Sequence, residues 1–360
     1  MTTITLEHIT KRFAPEVGSQ TQGVIAVNNL SLKIASGDVL AVLGPSGCGK
    51  STLLRLVAGI LEPDSGTVLY DNIDLRDIPI RDRGIGMVFQ EGALIPHWEA
   101  RLNIGFFLRL RQREQEIPER LARIASITGI GLDKLLDRRP SQLSGGERQR
   151  VGIARALARD LRVLLFDEPF ANLDAHYRAE ARIELKRLLN ALPTTSIYVT
   201  HDQTEAVALS HRIAVMREGR LEQVGTYQQL YHSPVNIFVA SFIGPNPINF
   251  FPGRVQNGRW YGENFGDFPL RRDLPDGTRV TAGIRPENVR LQSGGVYGVV
   301  DHITPLLAER SQLVSVHLAG ERWSLVASLD QPVEIGSTLQ CALQPDALLF
   351  FDDSTGQRIG

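Results

Sequence analysis

The chain has 360 residues, 42% hydrophobic and 22% charged, enough for two domains with a real core and free of any low-complexity tract that would suggest disorder. Its 39 basic and 40 acidic side chains leave a net charge of −1, which offers no basic surplus for a nucleic-acid partner. The two cysteines, Cys48 and Cys341, lie far apart and outside any CxxC or Cys/His pattern, which disfavours a zinc site or disulfide framework and fits a reducing compartment.

From the N-terminus, MTTITLEHITKRF lacks the apolar core of a signal peptide, so none is expected. No later window offers the ~18 uninterrupted apolar residues of a spanning helix, so work at a membrane requires a partner. TITLEHI, GVIAVNNLSLKI, DVLAVLG, GTVLYD, GIGMVFQ, RVLLFDEP, TSIYVTHD, RIAVMREG and GRLEQVG read as strands bounded by Gly, Pro, Asp or Asn. KSTLLRLVAGI, the stretch Ser141 to Arg159, and AHYRAEARIELKRLLNAL read as helices, the last with Ala179, Ile183, Leu185, Leu188, Leu189 and Leu192 expected on one face. Strands alternating with helices predict a largely parallel sheet, and VLAVL and RVLLF lack polar alternation, as strands buried on both faces do. Between Glu91 and Leu136 amphipathic stretches replace the strands, so a helical insertion is expected there. Past about His232 an apolar, proline-interrupted joint, PVNIFVASFIGPNPINF, leads into short strands with frequent Gly and Asp turns, the pattern of a small β-barrel.

Three motifs carry chemistry. GPSGCGKST, the residues Gly44, Pro45, Ser46, Gly47, Cys48, Gly49, Lys50, Ser51 and Thr52, fits GxxxxGK[ST] between a predicted strand and a predicted helix. Glycines let consecutive N–H groups turn toward phosphate oxygens, the helix N-terminus adds partial positive charge, Lys50 reaches the β- and γ-phosphates, and Ser51 ligates Mg²⁺. VLLFDEP ends an apolar strand on Asp167 and Glu168. Neighbouring strand-end residues point apart, so Asp167 is expected to hold Mg²⁺ through water and Glu168 to polarise the water that attacks the γ-phosphate. LSGGERQR sets Ser144, Gly145 and Gly146 before a helix, a second anion-seeking terminus without a lysine. Cys48, beside Lys50 and a helix N-terminus, is expected to have a depressed thiol pKa and to be alkylated in a way that the nucleotide blocks.

Taken together these motifs resemble those of the ATPase subunits of ABC transporters over roughly residues 1 to 235. GPSGCGKST resembles their Walker A loop, LSGGE their signature, VLLFDEP their Walker B strand and ANLD their D-loop. The resemblance implies an α/β P-loop NTPase (ABC ATPase) domain at 1–235 with a helical subdomain at about 91–155, then a regulatory all-β OB-like barrel at 236–360. It also implies ATP and Mg²⁺ as ligands and a head-to-tail dimer, most simply a homodimer, with each ATP between the Walker loop of one chain and the signature of the other. By the same resemblance Gln90 touches the metal and senses the membrane partner, His201 contacts the γ-phosphate, Asp174 bridges the two sites and Phe13 stacks on adenine. The signature ends in Glu where Gln is commoner, the D-loop begins with Ala171 where Ser is usual, and APEVGSQTQG after Phe13 is a lengthened loop.

PNPINFFPG and GIRPENV resemble the regulatory domain of maltose-transporter-type ATPases. That likeness implies uptake of sugars or sugar phosphates, with ferric iron, polyamines or sulfate and molybdate as alternatives and a soluble non-transport ABC ATPase behind them. It implies a peripheral position on the cytoplasmic side of the cell's inner membrane, two transmembrane permease subunits, an extracytoplasmic solute-binding protein reached through them, and no nucleic acid. Ile95, Pro96, Trp98, Phe106 and Phe107 are expected to line a groove for the permease or to form the helical subdomain's own core.

Overall fold

A computed structural model describes residues 1–14, 23–89, 94–128, 131–171, 173–262, 265–270, 272–318 and 320–359, and the chain divides into two units, Met1–Tyr227 and Gln228–Gly360. The first unit opens with long strands β1 (Ile4–Phe13) and β2 (Val24–Ile34), then β3 (Val39–Leu43), helix α1 (Lys50–Val57), β4 (Ser65–Tyr70), β5 (Ile73–Asp74) and β6 (Ile85–Val88). Helices α2 (Ala100–Leu110), α3 (Ile117–Thr128) and α4 (Gly145–Leu157) follow. Then come β7 (Val163–Asp167), α5 (Ala175–Ala191), β8 (Thr195–Thr200), α6 (Gln203–Leu209), β9 (Arg212–Arg217) and β10 (Arg220–Gly225).

Two sheets share these strands. One has the order β10-β9-β3-β8-β7-β6, parallel except for the β10 edge; the other, β2-β1-β4-β5, is antiparallel throughout. The expected parallel sheet is therefore only part of the strand inventory. β1, β2 and β4 alternate buried and exposed residues and make an antiparallel layer of their own. β3 and β7 are buried at every position, and their side chains split between two cores. Leu40, Val42, Val163 and Leu165 join α1 and the antiparallel sheet; Val39, Leu164 and Phe166 join α2 to α5. The six-stranded sheet is thus the middle layer, which leaves the C-terminal ends of β3, β7 and β8 together at one edge.

The stripe on α5 differs from the one expected. Leu185, Leu188 and Leu189 are buried with Ala181 and Leu192 half-buried, whereas Ala179 is exposed and Ile183 is 55% exposed. At about 100° per residue Ile183 lies about 200° round the helix from Leu185, so the two cannot share a buried face.

The second unit contains α7 (Tyr227–His232, its first residue on the boundary), α8 (Ile237–Phe242) and the strands β11 (Asn249–Gln256), β12 (Arg259–Gly262), β13 (Gly266–Pro269), β14 (Arg279–Ile284) and β15 (Val289–Leu306). It ends with β16 (Ser311–Leu318), β17 (Glu321–Ser328), β18 (Thr338–Leu343), β19 (Leu349–Asp352) and β20 (Arg358–Ile359). Among the described residues every strand pairing in it is antiparallel, in sheets of order β13-β12-β11-β14-β19-β20 and β17-β16-β15-β18. Trp260, Trp323, Phe251 and Phe265 fill its core. Residues just before 236 go with this unit because Arg358 N–H donates to Val235 O and the Arg285 guanidinium donates to Tyr231 O and Ala240 O. The apolar joint read from the sequence holds the short helix α8, capped by Asn236 accepting from Val239 N–H.

Candidate functional site

The phosphate loop begins where β3 ends. Gly44 is required there because a Cβ would stand 2.3 Å from Met216 O and 2.7 Å from Cys48 Sγ. Gly49, at φ +103°, would bring a Cβ within 2.0 Å of Ala26 O, so both the conformation and the space exclude a side chain. Pro45, Ser46 and Gly47 are exposed at the tip of the loop, while Cys48 and Lys50 are buried. Lys50 Nζ turns back into the loop and donates to Gly44 O at 2.8 Å and Pro45 O at 2.9 Å. Ser51 and Thr52 stand half-buried in the first turn of α1, where backbone N–H groups lack intrahelical partners.

The expected depression of the Cys48 thiol is corrected by the structure. Cys48 is 5% exposed and burial raises its pKa, outweighing the lowering by Lys50, whose Nζ stands 4.0 Å from Sγ. Loss of hydration penalises the thiolate more than one nearby ammonium, itself occupied by two carbonyls, can offset.

The two carboxylates at the end of β7 part company, as expected of neighbouring strand residues. Asp167 Oδ1 accepts the Ser51 hydroxyl at 2.8 Å; Glu168 Oε2 lies 3.0 Å from His201 Nδ1. Glu168 has φ +45°, an uncommon value for a residue other than glycine, and its N–H still donates to Val199 O at 3.0 Å. β7 thus ends on a turned residue whose side chain reaches the loop after β8. The His201 side chain is 59% exposed, leaving its other nitrogen open to a ligand.

Ser144 caps α4 in a reciprocal box. Its Oγ accepts from Glu147 N–H at 3.2 Å and Glu147 Oε2 accepts from Ser144 N–H at 2.8 Å. That hydrogen bond holds the Glu147 carboxyl below the usual range, and the N–H groups of Gly145 and Gly146 remain at the helix start. Glu where Gln is commoner therefore retains the box. Asp174 sits exposed at the N-cap of α5, and a cleft of about 560 Å³ runs from Ser144–Gly146 past Asp174 between α4 and α5. Phe13 closes β1 opposite Val24 and is 41% exposed, open for stacking. Gln90 lies outside the described residues.

A second surface feature is a groove of about 810 Å³ lined by Ile60, Ile80, Phe89, Phe106, Phe107 and Leu110, among others. Of the five groove residues expected from the sequence, Phe106 and Phe107 line it; Ile95, Pro96 and Trp98 do not, and Trp98 packs edge-on to Phe106 at 5.5 Å. Arg111 and Arg159, which pattern reasoning missed, bracket Phe107 with guanidiniums 4.5 and 4.2 Å from its ring centre. Also missed were Tyr198, Thr200 and Glu205, buried beneath His201; the spacing of Asp202 and Glu205 in HDQTE, a helix-start signal, was the available clue.

A glycine loop between β3 and α1, with two carboxylates at the neighbouring strand end, defines an α/β nucleoside-triphosphate hydrolase of the P-loop class. The family model described as ABC transporter matches residues 27–171. The chain is 43% identical to an sn-glycerol-3-phosphate import ATP-binding protein of Escherichia coli (strain K12), over 92% of this chain and 95% of that one. To an ABC transporter ATP-binding protein of Sinorhizobium fredii it is 41% identical, over 100% of this chain and 95% of that one. The solved dimeric structure of a bacterial ABC transporter cassette is similar at a TM-score of 0.55 and 32% identity, covering 62% of this chain and 98% of that chain. The post-hydrolysis state of that cassette, bound to ADP and Pi, gives 0.52 and 31% over the same shares. The chain belongs to the ABC transporter ATP-binding proteins, and it is an ATP hydrolase.

Proposed function

We propose that this chain is the ATPase subunit of an ABC importer for a sugar phosphate or related small phosphorylated polyol. The observation that carries the cargo is its identity to the glycerol-3-phosphate import protein along nearly the whole of both chains. ATP occupies the phosphate loop, where Lys50 exchanges its two carbonyl partners for β- and γ-phosphate oxygens. Gly44 to Thr52 supply the surrounding donors. The Ser51 hydroxyl and Asp167 carboxylate, already in contact, form the hard-oxygen pair that suits Mg²⁺, with Gln90 as a third ligand. Bound there, Mg²⁺ supplies charge neutralisation for the phosphates. Glu168 takes the proton of the attacking water, and His201, oriented by Glu168, contacts the γ-phosphate.

Two copies pair head to tail, a reading supported by the dimeric assembly of the similar cassette. Ser144, whose capping role uses only a lone pair, keeps its hydroxyl hydrogen for the partner's γ-phosphate; Gly145 and Gly146 add their N–H groups. Asp174 bridges the two sites and Phe13 stacks on adenine. The ATPase domain runs to about 235 in the sequence reading, with the helical subdomain at about 91–155, and the OB-like regulatory barrel follows at 236–360, with residues 228–235 packing with that second unit. The groove at Phe106 and Phe107, apolar residues flanked by arginines, receives a short amphipathic helix from one permease subunit, so that the two copies engage two permease subunits on the cytoplasmic face of the inner membrane. Among the described residues no helix is long and apolar enough to cross a membrane.

The test is to reconstitute the chain with its permease in liposomes and to measure ATPase stimulation by the solute-binding protein. Glycerol 3-phosphate or another sugar phosphate stimulates on this reading. Stimulation only by ferric iron, a polyamine or an oxyanion overturns the cargo and leaves the ATPase role intact.

A further inference from the structure

His201 lies in a tight turn between β8 and α6, and the turn is held from below by one buried carboxylate. Glu205 is 4% exposed, and its Oε2 accepts two hydroxyls, from Tyr198 and from Thr200, each at 2.8 Å. The Thr200 hydroxyl in turn accepts the Asp202 N–H at 3.0 Å. The residues on both sides of His201 are therefore tied to the same oxygen, one directly and one through a single hydroxyl. Asp202 completes the turn by accepting from Thr204 N–H at 2.7 Å and Glu205 N–H at 3.2 Å.

The other hydroxyl leads beneath the rest of the catalytic edge. The fully buried Tyr198 ring packs against Phe166, one residue before Asp167, at 5.7 Å, and against Phe170, two residues past Glu168, at 6.3 Å. Leu173 N–H donates to Phe170 O at 3.1 Å, extending the contact toward Asp174. The Glu205 oxygen is thus the polar peg where the His201 turn meets the aromatic floor under Glu168. A carboxylate kept from water is costly unless its partners are fixed, so each group in the network is confined to one geometry.

We propose that Glu205 is a positioning residue that holds His201 against Glu168. The proposal rests on the reading of His201 as a γ-phosphate contact. A Leu at this position removes the shared acceptor of both hydroxyls and leaves His201 with a turn that samples other geometries. A Gln keeps one oxygen for both hydroxyls. Neither change touches the phosphate loop or Phe13, so ATP affinity is expected to persist.

The experiment is steady-state ATP hydrolysis by the full-length chain, with ATP binding measured in parallel and folding checked by thermal unfolding. E205L is expected to lower kcat at least about tenfold with KM for ATP within about twofold, and E205Q to recover kcat to within about threefold of the parent, as a hydrogen-bond role requires. In the H201A background E205L is expected to add no further loss, because the group it positions is gone. The proposal is overturned if E205L keeps parental kcat, if E205Q is as impaired as E205L, or if E205L lowers kcat by the same factor with and without His201. Parental activity in H201A would instead sink the role of His201 itself, and Glu205 would have nothing to position. Should E205L fail to fold, T200V, which deletes the hydroxyl linking Asp202 to Glu205, is measured by the same scheme.

Discussion

At the scale of single residues, the site is read most directly at Glu168. Its carboxylate stands 3.0 Å from His201 Nδ1, separate from the Asp167 contact with Ser51. Glu168→Gln keeps the shape and removes the proton acceptor, so turnover is expected to fall at least ~100-fold while ATP still binds. A parental hydrolysis rate would remove the assignment. Phe13 is exposed, so Phe13→Ala should spare the fold and cost about 1 kcal/mol of stacking, roughly a fivefold rise in the ATP dissociation constant. An unchanged constant would leave Phe13 a surface residue.

Cys48 shows where local pattern misleads at this scale. A lysine and a helix N-terminus argue for a reactive thiolate, yet burial prevails and the thiol is raised above its ordinary 9.0. Iodoacetamide should therefore modify Cys48 slowly at pH 7, at a rate that climbs with pH and has not levelled off at 9.0. Rapid labelling at neutral pH would show the loop opening far enough to hydrate the sulfur. Burial is the sum of distant segments, here including Met216 packed in the same core, and no neighbouring residue in the sequence announces it.

At the scale of elements, the longer strands and helices were legible because hydrophobic period and turn residues mark them locally, whereas the short helices α6, α7 and α8 and the strands β5, β11, β19 and β20 were not. The separate antiparallel sheet was not, since pairing partners such as Ile4 with Ile34 and Tyr70 are chosen across the chain. Nor was the true face of α5, where Ile183 faces water and Leu185 the core. Two element-level expectations follow. Gly49→Ala forces a Cβ onto Ala26 O, so β2 or the loop must shift. A loss of stability of about 1–3 kcal/mol together with loss of ATP binding is expected in calorimetry. Ser144→Ala removes the cap of α4 and should lower stability by about 1 kcal/mol. Because the Glu147 carboxyl is lowered by the Ser144 N–H, its contribution is present above 4.5 and fades as pH falls below that value. An acid-unfolding profile that is the same for parent and Glu147→Ala would contradict that linkage.

At the scale of the whole molecule, the two cysteines report on different units. Cys341 lies fully buried in the second unit, where burial pushes its thiol up to about 12. A raised thiol favours the folded state below the ordinary value, so this contribution is complete below 9.0 and is lost as pH rises from there toward 12. Denaturant midpoints of the second unit, followed by the fluorescence of its buried Trp260 and Trp323, should decline over that window and stay flat below it with respect to this group. Replacement of Cys341 by Ala should abolish the decline; a decline that survives comes from other groups.

By itself the sequence determined that this chain binds a nucleoside triphosphate and belongs with the ABC ATPases, because GxxxxGK[ST], LSGGE and VLLFDEP are contiguous runs whose chemistry depends on near neighbours. It also determined the order of the longer elements, since periodicity is local. The tertiary structure alone decided that Ser51 meets Asp167, that His201 meets Glu168, and that Glu205 underlies both neighbours of His201. It decided too that Cys48 is buried, and that Phe106 and Phe107 join Ile60, Ile80, Phe89 and Leu110 in one groove where Arg111 and Arg159 flank Phe107. The reason is common to all of these: hydrogen bonds between distant strands, desolvation and shared burial depend on which segments pack together, and that is settled only when the whole core closes.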